Sequence, residues 1–104
     1  MTRVKSFPEL EQFLGGYFHQ DWMHDAPDPE GIIQLFVTHA TSEQMAGVRQ
    51  ELNKVLNQQR SDAELQDLLI KLGCYVYLPS LGVTAREWLT TVRARITELG
   101  AAKR

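Results

Sequence analysis

One hundred and four residues, 43% of them hydrophobic and 23% charged, make a chain long enough for one compact domain and too apolar to be disordered on composition. A single cysteine excludes an intramolecular disulfide, and a formal net charge of −2 gives none of the overall basic character that phosphate binding requires. No amino-terminal stretch has the pattern of a signal peptide and no apolar run approaches the roughly 20 residues needed to cross a bilayer, so a cytoplasmic protein with a reduced thiol is expected.

The helix punctuation is clear. Ser6-Phe7-Pro8-Glu9 has the form of a capping box, followed by Leu10, Phe13, Leu14, Tyr17 and Phe18 at i, i+3, i+4, i+7 and i+8. Gly15-Gly16 inside this stripe costs about 1 kcal/mol per glycine and lacks the flanking pattern of a phosphate loop, which predicts a close helix–helix approach. Asp28-Pro29 opens a second helix as N-cap and first helical residue, with Ile32, Ile33, Phe36, Val37 and Ala40 on its stripe. Thr41 or Ser42 caps a third, carrying Met45, Val48, Leu52, Val55 and Leu56. Ser61-Asp62-Ala63-Glu64 is another capping box, leading to Leu65, Leu68, Leu69 and Leu72 with Gly73 as the stop.

Cys74-Tyr75-Val76-Tyr77-Leu78 is the one place where a strand could be argued. A single strand has no partner, so a buried connection or a helix extension is expected, with Cys74 a buried free thiol. Leu78-Pro79 and Gly82 mark a turn. Thr84-Ala85-Arg86-Glu87 then opens a last helix bearing Trp88, Leu89, Val92, Ile96 and Leu99, with Gly100 as its end. The expected fold is all-α, one domain over residues 1–104 built as a bundle of about five amphipathic helices, with 1–5 and 101–104 frayed.

His19-Gln20-Asp21-Trp22-Met23-His24-Asp25 is the segment in which chemistry could be sought. Two His and two Asp in seven residues could ligate a metal or form an acid–base pair. The segment contains no His-x3-His or Glu-x-x-His spacing and lies where a helix gives way to a link, and His39 stands alone on the second helix. The reading that follows is no enzyme, no metal and no cofactor. Tyr17, Phe18 and Trp22 anchor the first helix in the core while His19, Asp21 and Asp25 face water.

Charge is unevenly spread. Between Lys5 and Arg49 there is no Lys or Arg, and the stretch holds Glu9, Glu11, Asp21, Asp25, Asp28, Glu30 and Glu43, a formal −7. Residues 49–104 carry nine basic and six acidic side chains. Acids near helix amino termini are favoured by the macrodipole, about 0.3–1 kcal/mol each, which accounts for some of them. A run of 43 positions without a base leaves carboxylates with no local counter-ions and a negative field suited to a basic partner.

Phe7-Pro8-Glu9-Leu10-Glu11-Gln12-Phe13-Leu14-Gly15-Gly16-Tyr17-Phe18-His19-Gln20-Asp21-Trp22 closely resembles the opening of a family of immunity proteins from bacterial contact-dependent growth inhibition systems, the CdiI proteins. The resemblance continues through Ser61-Asp62-Ala63-Glu64-Leu65, Leu72-Gly73 and a tyrosine-bearing link to Gly82-Val83-Thr84-Ala85-Arg86-Glu87-Trp88-Leu89, so that residues 6–99 are covered. Residues 23–28 look individual. The resemblance implies a small helical protein of the toxin-producing cell's cytoplasm that binds the carboxy-terminal toxin domain of a cognate CdiA effector, one to one, with neither nucleic acid nor membrane as ligand. Such toxins are often nucleases with basic surfaces. The family brings no catalytic residues, and its shared motif falls on Tyr17, Phe18, His19, Gln20, Asp21, Trp22 and Trp88, read as mainly structural. Toxin contact is expected from Asp21, Asp25, Asp28, Glu30 and Glu43, blocking the active site or substrate path. The rival readings are a helical regulatory adaptor for another cytoplasmic protein and a metal-dependent enzyme using the His19–Asp25 cluster.

Overall fold

In the computed structural model, residues 7–103 are described. Five helices follow one another: α1 (Pro8–Tyr17), α2 (Pro29–His39), α3 (Ser42–Asn57), α4 (Asp62–Lys71) and α5 (Ala85–Lys103). Single 3-10 turns, Trp22–His24 and Leu78–Leu81, lie in the links after α1 and α4. No strand occurs among the described residues. The all-α expectation therefore holds.

Four of the five expected starts form as written. Asp28 Oδ1 accepts from the Gly31 amide at 2.9 Å with Pro29 in the first turn. Of the two candidates before α3, the cap is Thr41, paired reciprocally with Gln44. Ser61 and Glu64 close the box of α4, and Thr84 and Glu87 that of α5. The Ser6 cap lies outside the described residues, as do residues 1–5. At α1 the N-cap position is held by Phe7, and the Glu51 carboxylate of α3 accepts from the amides of Glu9 (3.3 Å) and Leu10 (2.7 Å). A carboxylate at a helix amino terminus satisfies orphan donors and meets the positive end of the dipole. This cap comes from 41 residues away in sequence, beyond the reach of any local motif.

α5 packs against α2, α3 and α4, and α1 against α2 and α3. The radius of gyration, 12.8 Å, is that of a compact domain of about 100 residues (about 13 Å), which rules out an open helical array. The expected stripes point inward and join in one cluster of buried apolar side chains. Its centre is aromatic. Phe18 packs edge-on against Phe13, Trp22 and Trp88 at centroid distances of 5.7, 5.9 and 5.2 Å, and Phe13 reaches Phe36 at 4.5 Å. Edge-to-face geometry of this kind adds about 0.5–1.5 kcal/mol per pair to the burial itself.

Gly73, at φ +86°, ends α4 in a Schellman motif: its amide donates to Ile70 and that of Cys74 to Leu69. It also lets α4 approach α1, since a Cβ on Gly73 would lie 3.1 Å from Gly15 Cα and one on Gly15 3.2 Å from the Leu72 carbonyl. The close approach expected at Gly15-Gly16 is thus real at Gly15, whereas nothing lies within 4 Å of a Cβ on Gly16. Gly100 does not end α5, which runs on to Lys103. Its absent side chain makes room for Met45, whose Sδ would be 3.3 Å from a Cβ there. Burial against α3, not chain termination, explains this glycine.

Candidate functional site

α1 ends at Tyr17, and the chain turns through His19–Asp25 under local hydrogen bonds. The Trp22 amide donates to the His19 carbonyl at 3.0 Å and that of Asp25 to Trp22 at 3.0 Å. The Asp21 amide donates to His19 Nδ1 at 3.1 Å, and His19 Nε2 lies 3.1 Å from Asp25 Oδ2. Because an amide can only donate, Nδ1 is the acceptor and the proton of the neutral ring sits on Nε2, donating to Asp25. Both ring nitrogens are therefore committed to holding the turn. No group of three His, Cys, Asp or Glu side chains able to hold a metal ion occurs among the described residues.

Phe18 and Trp22 are buried in the core, Tyr17 is half-buried against it, and Trp88 meets Phe18 from α5. His19 is half-buried, and Gln20, Asp21 and Asp25 are exposed. The Tyr17–Trp22 segment thus divides into inward aromatics and an outward polar turn.

The link after α4 runs beside this turn. The Tyr75 amide donates to the Phe18 carbonyl at 2.8 Å, and the Trp22 indole Nε1 donates to the Tyr75 carbonyl at 3.0 Å. The link is neither a helix extension nor wholly buried, which corrects the expectation for 74–78. Its side chains alternate: Cys74 and Leu78 are buried and Val76 half-buried, while Tyr75 and Tyr77 project outward at 59% and 71% exposure. Period-two alternation is what an extended backbone imposes, and here two hydrogen bonds on the turn side hold the segment extended without a partner strand. The Ser80 hydroxyl donates to the Tyr77 carbonyl at 2.7 Å, and Gly82, at φ +70°, turns the chain into α5.

The exposed apolar surface gathers here. Of the five large apolar side chains exposed among the described residues, Ile70, Tyr75, Tyr77 and Leu81 lie within residues 70–81, and Met23 follows Trp22 in the adjoining turn. Between α4 and the link is a hollow of about 220 Å³ lined mainly by Leu69, Ile70, Cys74, Val76, Tyr77 and Leu78. Burial pushes the Cys74 thiol up to about 11, so it stays protonated and is no nucleophile near neutral pH. The sequence signal for this surface was present in the alternation Cys-Tyr-Val-Tyr-Leu, which puts both tyrosines on one side of an extended chain.

The five acids singled out in the sequence do not form one cluster. Asp21, Asp25 and Asp28 are exposed and lie in the turn and at the start of α2, within eight residues of one another. Glu43 is exposed at the start of α3, separated from Asp28 by the length of α2, about 16 Å at 1.5 Å per residue. Glu30 does have a counter-ion, supplied by the basic half of the chain. Arg95 Nε donates to Oε1 at 2.9 Å and Nη2 to Oε2, while Nη1 reaches Glu98. The Arg95 hydrogen bond holds the Glu30 carboxyl below its ordinary value, with partial burial pulling the other way. The expectation that the acidic stretch lacks partners is corrected at this residue, because helix packing brings α5 alongside α2.

A family model described as CdiI immunity protein matches residues 6–96. The chain belongs to the CdiI immunity protein family. A chain in the crystal structure of the CdiA-CT/CdiI complex from Y. kristensenii 33638 is similar to it at 27% identity and a TM-score of 0.83, over 88% of this chain and 99% of that one. No curated protein matches. The likeness extends through α1, the His19–Asp25 turn, α4 and the link, so the surface described above lies within the matched region. No helix among the described residues is long and apolar enough to cross a membrane.

Proposed function

We propose that this CdiI protein neutralises the carboxy-terminal toxin domain of a cognate CdiA effector by binding it one to one in the cytoplasm, without catalysis. The near full-length likeness to a chain of a CdiA-CT/CdiI complex carries this reading. The toxin is a basic nuclease, and the bound CdiI protein occludes its active site or the path of its substrate. Two physical observations agree with such a partner. Asp21, Asp25 and Asp28 project from one stretch of surface with no Lys or Arg within 4 Å among the described residues, a field that speeds encounter with a basic protein. Beside them lie exposed tyrosines, one of the residue types enriched among the anchors of protein interfaces.

Among the five acids, Asp21 and Asp25 are the leading contacts. Both lie in the turn around Trp22, whose indole meets the tyrosine-bearing link, whereas Asp28 stands farther along at the α2 cap, Glu30 is engaged by Arg95, and Glu43 lies at the far end of α2. Protection against an internal toxin calls for a nanomolar or tighter complex, about −12 kcal/mol or more. Co-expression with the toxin domain encoded beside this chain tests the function. Growth is expected to be restored by the CdiI protein, and growth arrest that persists while both proteins are folded and present overturns the reading.

A further inference from the structure

We propose that the hollow between α4 and the link 74–79 is an anchor site that takes one large apolar side chain of the toxin domain, presented on a basic loop whose Lys or Arg faces Asp21 and Asp25. The inference rests on the toxin-neutralising reading and says where the binding energy is concentrated. At about 220 Å³ the hollow is smaller than the roughly 300–1,000 Å³ of small-molecule and cofactor sites, and it suits a side chain. Leu69, Cys74 and Leu78 are its buried members and Ile70, Val76 and Tyr77 its more exposed ones. A charged group placed there would lose its water with chiefly the Gln66 amide and the Tyr77 hydroxyl as polar side-chain replacement and no ionised side chain in the lining, so the occupant is apolar.

Ile70 and Tyr77 are 69% and 71% exposed, an arrangement that leaves apolar area in water until something covers it. Four such side chains within residues 70–81 exceed the single scattered hydrophobics of an ordinary surface. The backbone under them is already fixed, by Gly73 at one end, by the Phe18 and Trp22 hydrogen bonds at Tyr75, and by the Ser80–Tyr77 bond and Gly82 at the other. A pre-ordered segment loses little entropy on binding.

Charge selects the partner. The Trp22 indole ties the acidic turn to Tyr75, which sits between Cys74 and Val76 of the hollow's lining, so a toxin surface that covers both the hollow and the link reaches the turn that carries Asp21 and Asp25. A second copy docked on this face would add a second acidic turn to the same interface, which the field of the first disfavours. A basic toxin surface would be attracted.

Isothermal titration with the purified cognate toxin domain tests the site, using Ile70→Ser and Tyr77→Ala, with Gln50→Ala on α3 as control. Each of the first two is expected to weaken Kd by about 30-fold or more with unchanged helical circular dichroism, and the control to bind like the wild type. Nanomolar wild-type binding with Ile70→Ser and Tyr77→Ala within threefold of it would overturn the anchor and leave the immunity function standing. Failure of the wild type to bind at all would overturn the immunity reading and the anchor with it. A free protein that is dimeric, becomes monomeric in these variants and keeps its toxin affinity would assign the hollow to a second copy instead.

Discussion

The segment Tyr17–Trp22 and the link Cys74–Leu81 are both rich in aromatic and apolar side chains, touch through two hydrogen bonds, and point those side chains in opposite directions. In the first, helical spacing and a 3-10 turn place Phe18 and Trp22 in the core, Phe18 against Trp88 of α5, and the indole N–H of Trp22 has an acceptor waiting at Tyr75. In the second, an extended backbone alternates inside and outside, so Cys74 and Leu78 go in while Tyr75 and Tyr77 must come out. Aromatic content alone therefore does not separate core from contact surface. Backbone periodicity does, together with whether each polar tip finds a partner.

The contrast is open to direct attack. Phe18→Ala should have the largest effect, because a fully buried ring that joins Phe13, Trp22 and Trp88 is lost; a destabilisation of about 3–5 kcal/mol in urea unfolding is expected, whereas Tyr75→Ala on the neighbouring segment should stay within about 0.5 kcal/mol. Trp22→Phe keeps most of the apolar volume but leaves the Tyr75 carbonyl without its donor. About 1–3 kcal/mol should be lost, accompanied by faster amide exchange along 75–78, and an unchanged exchange pattern would show that the two segments are not mechanically joined.

The smallest effect concerns Glu30. Its carboxyl is held below the ordinary 4.5 by Arg95, so the folded state binds this proton less readily than the unfolded chain. The stabilisation from the pair is present above about pH 4.5 and fades as pH falls through the lower folded-state value. Glu30→Gln should consequently be slightly less stable than wild type at pH 7 and should converge with it in acid. The difference is kept small by solvent, since both partners are more than one-third open to it or nearly so. A gap that widened toward low pH would contradict the pairing.

Most of the scaffold was legible because its signals are local. Asp28, Ser61 and Thr84 each cap the helix expected of them, and Gly73 stops α4 as its position predicts. What escaped were arrangements made by distant residues. Glu51 caps α1 across 41 residues, Arg95 reaches Glu30 across 65, and Gly100 is small because Met45 packs on it. None of these leaves a mark within one turn of the residue concerned. The candidate surface falls between the two cases. Its acidic turn was visible as charge, and its outward tyrosines were visible as alternation, but the absence of a partner strand hid the meaning of that alternation. Only the hydrogen bonds that Tyr75 donates to Phe18 and accepts from Trp22 show why the link stays extended.

The toxin domain is expected to dock on this CdiI protein where the acidic turn adjoins the outward tyrosines. Hydrogen–deuterium exchange of this chain, alone and with the cognate CdiA toxin domain, tests it most directly. Protection on binding is predicted over residues 19–28 and 70–82, with little change along the exposed side of α3. Protection confined to α3, or to the α2–α5 face around Gln34 and Leu99, with none in those two segments, would contradict it.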